Sequence, residues 1–199
     1  LFAGVFLLGT LIGSFLNVVI YRVPRILEFE WRCQCHELLG TEETDANRPA
    51  GIVATSYQCP YCNHQIGAWE NIPLLSFLIL RGQCSSCKKR ISLRYPLVEL
   101  TTGILFVVCI WSFGASLQGV TALLFTSFLI ALTGIDIDHQ LLPDNMTVPL
   151  MWAGIFLAIW SVHSELLASV IGAMAGYLVL WIIYHLFRIL TGKEGMGYG

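Results

Sequence analysis

Long apolar runs alternate with shorter polar stretches along most of this chain. Five runs have, or nearly have, the roughly 20 residues that an α-helix needs to cross the hydrocarbon core of a bilayer. They occupy residues 1–20, 97–113, 119–135, 147–162 and 166–190, of which the second and fourth are short. The pattern predicts an all-α polytopic membrane protein with about five transmembrane helices.

A polar region, residues 21–96, separates the first two runs and holds most of the basic charge. Of the chain's 11 Lys and Arg residues, only Arg188 and Lys193 lie outside it. Short loops rich in Lys and Arg stay in the cytoplasm, so we expect this region there, and helix alternation then places Arg188 and Lys193 inside as well. The chain divides into a first transmembrane helix (1–20), a cytoplasmic domain (21–96) and a membrane core (97–199).

Composition supports a lipid environment and argues against a nucleic-acid partner. The chain of 199 residues is 56% hydrophobic and 12% charged, whereas soluble domains carry about 25% charged residues. Its net charge of −2 lacks the basic excess with which proteins bind phosphate backbones. The oligomeric state does not follow from the sequence.

Two C-x-x-C pairs, Cys59/Cys62 and Cys84/Cys87, lie in the polar region. Each pair forms a tight turn that aims two thiolates at one point, and two such turns complete a tetrahedral four-cysteine zinc site. A reducing cytoplasm favours metal binding, with disulfides or free thiols as the alternatives. Four protein ligands would make the zinc structural. The spacing therefore predicts a small zinc-ribbon-like insertion between the first two helices.

Other parts of the polar region carry weaker signals. Cys33 and Cys35 are one residue apart, which is poor chelating geometry, and we assign them no role. Residues 33–54 are acidic and punctuated by Gly and Pro, which predicts a loop. The apolar run 71–80 is too short to span a bilayer, so it either packs on the cysteine module or lies along the membrane surface.

Two G-x-x-x-G pairs occur in the first and fifth apolar runs, at Gly9/Gly13 and Gly172/Gly176. This spacing lets membrane helices approach closely. Glycine is also simply frequent in membrane helices, and the sequence leaves both interpretations open.

Carboxylates cluster where the third apolar run ends, within residues 134–144. Asp136 continues that run without a break, so its charge is expected at the membrane boundary, where such residues usually mark function. For Asp138 and Asp144 a solvated acidic loop is the simpler interpretation. Two neighbouring carboxyl groups can activate water and protonate a leaving amine. Glu99 is a weak candidate for the second group, and a capping or arginine-paired role is favoured for it.

Taken together, the motifs resemble the type IV prepilin peptidase family, also called leader peptidase/N-methyltransferase. The matching stretches follow the family's order and cover nearly the whole chain. They are residues 13–24 (GSFLNVVIYRVP), the two C-x-x-C pairs, and residues 70–76 (ENIPLLS), 94–99 (RYPLVE), 135–144 (IDIDHQLLPD) and 197–199 (GYG).

The resemblance implies a GxGD-type aspartyl protease of the bacterial cytoplasmic (inner) membrane. Its substrates would be prepilins and pseudopilins of type IV pilus and type II secretion systems, whose short basic leader it removes at the cytoplasmic face. Many members of the family then methylate the new N-terminus with S-adenosylmethionine. The cytoplasmic region that holds the cysteines is associated with this second activity.

The resemblance also assigns residues. Asp136 matches the family's first catalytic aspartate, and the second would follow Gly199 directly, completing a Gly-Tyr-Gly-Asp motif that begins at Gly197. Asp144 and Glu99 fall in matching stretches as supporting positions. We expect the parent protein to continue beyond Gly199, and residues 1–199 alone to be inactive because the second aspartate is missing.

Two other functions fit parts of the pattern. One is a non-enzymatic membrane adaptor whose zinc module binds a partner. The other is a transporter that uses Asp136 and His139 for protons or metal, although transporters place such groups near the bilayer midplane. An aspartate directly after Gly199 would favour the protease. The sequence does not identify the pilin or the pathway served.

Overall fold

The computed structural model describes residues 1–40, 49, 51–52, 62, 65, 67 and 72–192. Their regular secondary structure consists of helices, apart from an isolated antiparallel bridge between Gln83 and Arg90. The helices are α1 (Phe2–Leu38), α2 (Leu75–Ile79), α3 (Arg94–Phe113), α4 (Leu117–His139), α5 (Asp144–Ile159) and α6 (Leu166–Thr191). The predicted all-α fold class is confirmed.

Four of the described helices, α1, α3, α4 and α6, are long and apolar enough to cross a membrane by length and composition. The remaining predicted span corresponds to α5, which has 16 residues. At 1.5 Å per residue it is about 24 Å long, whereas a bilayer core is about 30 Å thick. The prediction of about five spans thus becomes four long helices and one shorter apolar helix.

The first helix continues far beyond the apolar run that predicted it. With 37 residues, Pro24 among them, α1 is about 55 Å long and does not end at residue 20. Hydropathy falls after that point because charged residues appear, yet Val23 and Phe29 still face the interior. Cys33 and Cys35 are therefore helical, which corrects the loop predicted for residues 33–54. Most of the rest of that segment lies outside the described residues.

The chain forms two compact units, Leu1–Leu141 and Leu142–Gly199. In the first unit α1 packs against both α3 and α4, and these two helices pack against each other. Gly114 (φ +68°) ends α3, and the Ser116 side chain caps α4 by accepting a hydrogen bond from the Gly119 N–H, at 3.3 Å. In the second unit α5 packs against α6.

Backbone-to-backbone contact joins α1 to α3. A Cβ atom at Gly9 would lie 2.7 Å from the Cα of Gly103, and one at Gly13 would lie 2.7 Å from the Cα of Glu99. Any side chain at these positions would push the helices apart. The first G-x-x-x-G pair is therefore a helix-packing motif, as one of the two interpretations predicted.

Other glycines of the membrane helices differ in what surrounds them. A Cβ atom at Gly134 of α4 would lie 2.5 Å from Cδ1 of Ile20, and both Ile20 and Ile135 are fully buried at this contact. By contrast, no described atom lies within 4 Å of the Cβ positions of Gly172 and Gly176. Within the described residues the second G-x-x-x-G pair makes no close helix contact.

Hydroxyl groups buried between α1 and α3 are satisfied by their own helices. Thr102, which is completely buried, donates to the Val98 carbonyl at 2.7 Å, and Thr10 donates to the Leu7 carbonyl at 2.8 Å. Such bonds remove the cost of a polar group buried without a partner. The interface can thus be tight and partly polar at once.

The α1–α3 contact predicts a selective effect of alanine substitutions in α1. We expect Gly13→Ala to lower the free energy of unfolding by about 1–3 kcal/mol, because its methyl group would collide with the α3 backbone. Gly4→Ala is the matched control, since it lies in the same helix and a Cβ there meets nothing within 4 Å. Thermal or denaturant unfolding of both variants in detergent micelles measures the difference. Equal stability of the two variants would contradict the proposed contact.

Candidate functional site

Asp136 lies in the last turn of α4, as its position in the apolar run predicted. The helix ends at His139 because Gln140 adopts a left-handed conformation (φ +51°), and the Gln140 N–H donates to the Asp136 carbonyl at 2.8 Å. The Asp136 backbone is thus held by the helix, and its carboxylate remains available for other interactions.

The Asp136 side chain is exposed on the surface of the first unit. It shares an exposed stripe of α4 with Leu129 and Thr133. Among the described residues, none forms a hydrogen bond or ion pair with its carboxylate. A negative charge at a helix C-terminus is also unfavourable with respect to the helix dipole. Nothing in this part of the structure gives Asp136 a stabilising role.

The neighbouring polar residues of α4 are paired. Asp138 forms an ion pair with the Arg94 guanidinium at the first turn of α3, and both side chains are about 30% exposed. Nδ1 of His139 lies 3.8 Å from Oε1 of Glu28 in α1, an ion pair when the imidazole is protonated. Asp138 is therefore not the solvated loop residue of the simpler interpretation. It helps to join the end of α4 to the start of α3.

Glu99 is buried between α1 and α3, with 8% of its surface exposed. One carboxylate oxygen, Oε2, accepts a hydrogen bond from the Leu74 N–H at 2.8 Å, and the Ser14 side chain also hydrogen-bonds to the carboxylate. Leu74 has φ +58°, a conformation that is costly for a residue with a Cβ atom. The carboxylate thus holds the backbone directly before α2, and the described residues show no arginine pair for it.

Other residues of the matched motifs hold the same region together. Asn17, 3% exposed, donates from its side-chain amide to the Tyr95 carbonyl at 3.1 Å. Arg22 donates to the Gly51 carbonyl at 2.7 Å. Stretches that are far apart in sequence therefore meet along α1.

Of the remaining supporting positions, the structure describes Asp144 but not Gly197 or Gly199. Asp144 is exposed in the first turn of α5, where a negative charge is favourable with respect to the helix dipole. Gly197 and Gly199 lie outside the described residues.

Three cysteine sulfurs come together in the polar region. The Sγ atoms of Cys62, Cys84 and Cys87 all lie within 4.8 Å of one another, and the first two are 4.0 Å apart. Zn–S bonds of about 2.3 Å in a tetrahedron put sulfur atoms about 3.8 Å apart. The thiolate donors and their spacing therefore fit a zinc ion. Cys59, the fourth predicted ligand, lies outside the described residues.

A tight hairpin presents two of these sulfurs. The Cys84 N–H donates to the Lys89 carbonyl at 2.9 Å, and the Lys88 N–H donates back to the Cys84 carbonyl at 3.1 Å. This closed turn aims the thiols of Cys84 and Cys87 the same way, as the C-x-x-C spacing predicted.

The other cysteines do not join the cluster. Among the described residues, Cys33 and Cys35 of α1 are not part of any group of metal-ligating side chains. Cys109 of α3 lies 3.4 Å from the hydroxyl of Thr126 in α4. It is a packed helix residue, as its apolar surroundings predicted.

Two structural links escaped the sequence analysis. The sequence could have indicated the Arg94–Asp138 pair. A basic residue lies at the start of α3 and an acidic residue near the end of α4, and these ends meet in an antiparallel helical hairpin. No sequence pattern indicates the hydrogen bond between Leu74 and Glu99, since it joins a backbone N–H to a side chain 25 residues away.

Comparison with known proteins covers almost the whole chain. The model of the bacterial peptidase A24 N-terminal domain matches residues 7–113, and that of the type IV leader peptidase family matches residues 123–199. No solved structure gives a significant match.

Curated relatives carry the name prepilin leader peptidase/N-methyltransferase. The protein from Stutzerimonas stutzeri is 49% identical over 192 residues, which cover 96% of this chain and 66% of the relative. The Pseudomonas putida protein is 50% identical with the same coverage, and the Aeromonas hydrophila protein is 49% identical over 100% of this chain and 69% of the relative. The chain thus spans about two thirds of the length of these relatives. With two family models and close relatives in agreement, the chain belongs to the type IV leader peptidase family of membrane peptidases.

Proposed function

We propose that the full-length protein is a membrane aspartyl endopeptidase that removes the leader of type IV prepilins and pseudopilins. The observation that carries this proposal is the placement of Asp136. Its carboxylate is exposed and has no partner among the described residues, at the end of an apolar helix long enough to span a membrane. The names of the relatives supply the reaction and the substrate class.

The proposed chemistry needs a second carboxyl group beside Asp136. The ionised member of such a pair takes a proton from water, which attacks the scissile carbonyl, and the protonated member gives its proton to the leaving amine. Glu99 is a poor second member because its carboxylate already holds the Leu74 N–H. We therefore keep the aspartate expected directly after Gly199 as the second catalytic group.

The position of Asp136 suits a substrate that is part membrane helix and part soluble leader. We propose that the enzyme lies in the bacterial inner membrane with residues 21–96 and the active site facing the cytoplasm, as the basic residues of that region favour. The apolar segment of a prepilin would then lie among the membrane helices. Its leader would remain in the cytoplasm, with the scissile bond at the depth of the Asp136 carboxylate.

We also propose that the full-length protein methylates the new pilin N-terminus, as the names of the relatives suggest. S-adenosylmethionine would supply the methyl group to the α-amine exposed by cleavage.

A structural zinc ion is the third element of the proposal. Cys59 would complete the set formed by Cys62, Cys84 and Cys87, whose sulfurs already lie at suitable distances. Four thiolates fill the coordination sphere of zinc, which leaves no open position for substrate or water. The ion would therefore stabilise the fold of the cytoplasmic region and take no part in cleavage.

Asp136→Asn in the full-length protein should abolish prepilin cleavage. We expect a loss of about 10²–10⁴-fold or more, because the amide cannot act as a base. The shift in pilin mobility after co-expression measures processing. Asp138→Asn is the matched control, since it removes a carboxylate two residues away whose exposed ion pair is worth about 0–1 kcal/mol. Unchanged cleavage by the Asp136 variant would remove Asp136 from the mechanism. A folded wild type that does not cleave prepilin would instead favour a non-enzymatic zinc-binding adaptor.

The same Asp136→Asn variant should still methylate a pilin whose leader has already been removed. The acceptor amine is then present, and Asp136 takes no part in the methyl transfer that we propose. Transfer of labelled methyl groups from S-adenosylmethionine to the mature pilin measures this activity. A parallel loss of cleavage and methylation in a folded variant would contradict separate sites.

Removal of one thiolate should release the zinc. We expect about one zinc per chain in the wild type and a loss of most of it in Cys84→Ser, because a closed site needs all four ligands. Cys35→Ser is the control, since Cys35 is exposed on α1 and lies outside the sulfur cluster. Elemental analysis of the purified proteins gives the ratio. A folded wild type without zinc would refute the site.

A further inference from the structure

The short helix α2 carries apolar side chains that nothing in the described structure covers. Leu75, Leu78 and Ile79 are 55%, 71% and 78% exposed, and no residue of α2 is buried. Three large apolar side chains on a five-residue helix form an unusual surface for water to contact. These exposed side chains indicate contact with an apolar partner.

The opposite side of α2 does pack. Phe77 covers Gly82, where a Cβ atom would lie 2.9 Å from the Phe77 ring. Gly82 has φ +68°, so the chain turns there and leads into the hairpin of Cys84 and Cys87. The orientation of α2 is therefore determined by its contact with the hairpin, and Leu78 and Ile79 face away from it.

A hydrogen bond sets the depth of α2 relative to the membrane helices. The Leu74 N–H, directly before α2, donates to Glu99, which lies five residues after the first residue of α3. Five helical residues correspond to about 7.5 Å along the axis. The start of α2 is thus level with the second turn of α3, which is a candidate membrane span.

The charged side chains in the segment that contains α2 and the hairpin are all basic. Residues 72–93 contain four basic residues and no acidic residue, and all four basic side chains are exposed. They are Arg81, Lys88, Lys89 and Arg90. An apolar tip flanked by cations matches the boundary between acyl chains and anionic headgroups.

We propose that α2 is an interfacial membrane anchor, with Leu75, Leu78 and Ile79 inserted into the leaflet at the start of α3. The basic residues that follow would bind anionic lipid headgroups. Because Cys84 and Cys87 lie in the adjoining hairpin, this anchor would hold the sulfur cluster against the membrane surface. The inference concerns lipid contact and does not depend on peptidase activity.

Immersion of α2 can be measured with a spin label on the full-length protein in nanodiscs. A genetically encoded keto amino acid at position 78, coupled to a nitroxide, leaves every cysteine untouched. The discs contain equal parts of phosphatidylglycerol and phosphatidylcholine. Position 86 is the control, because Ser86 is exposed on the hairpin beyond the apolar tip. Collision of each label with oxygen and with a water-soluble nickel complex reports its depth.

The label at position 78 should collide with oxygen several-fold more than with the nickel complex, at a depth of about 5–10 Å. The label at position 86 should show the reverse. Collision rates at position 78 that equal those at position 86 would overturn the proposal. Low rates for both reagents at position 78 would also overturn it, by revealing a protein partner in place of lipid.

The proposed contact between the basic residues and anionic headgroups is tested separately. Discs of phosphatidylcholine alone, or the K88Q/R90Q double variant in the mixed discs, should move the label at position 78 towards water. A depth that is the same in all three conditions would overturn the assigned headgroup contact. Repeating the series at position 79 guards against a local effect of one label.

Discussion

The contact of α1 with α3 at backbone distance is the constraint on which the first unit depends. Between membrane helices the hydrophobic effect contributes little, because lipid is as apolar as the side chains, so close packing must supply the attraction. Gly9 and Gly13 permit that packing over two adjacent turns of α3. The same approach brings Asn17 within reach of the Tyr95 carbonyl and Ser14 within reach of Glu99.

Because that contact is fixed, the carboxylates at the ends of α3 and α4 have distinct roles. Asp138 is neutralised by Arg94, and Glu99 is occupied by the Leu74 N–H. Asp136 alone of the three has no described partner and is open to its surroundings. A carboxylate at a helix C-terminus is unfavourable with respect to the helix dipole, and the described residues offer Asp136 no compensating bond.

The polar region, residues 21–96, is tied to these helices at several points along the chain. Arg22 of α1 binds the Gly51 carbonyl, Glu99 of α3 binds the Leu74 N–H, and the hairpin that holds Cys84 leads directly into α3. A metal at the sulfur cluster would therefore stiffen a segment that is already connected to the membrane helices.

Much of the candidate site was predictable because its signals are local. The apolar runs predict the helices, the C-x-x-C spacing predicts sulfurs that converge, and the unbroken run into Asp136 predicts its place at a helix end. Glu99 could be recognised as a supporting residue, but its partner could not, because Leu74 approaches it only through the folded loop. The length of α1 was also not predicted, since hydropathy falls after residue 20 although Val23 and Phe29 are still buried.

The sequence by itself determined the all-helical membrane class and the family. Only the tertiary structure decided which glycine pair packs, since Gly9 and Gly13 meet α3 whereas Gly172 and Gly176 meet no described atom. It also decided that Asp138 pairs with Arg94, whereas Asp136 has no partner among the described residues. The physical reason is that composition and spacing report the preference of each segment for lipid, helix or metal, whereas contacts between segments depend on distances that arise only when the helices pack.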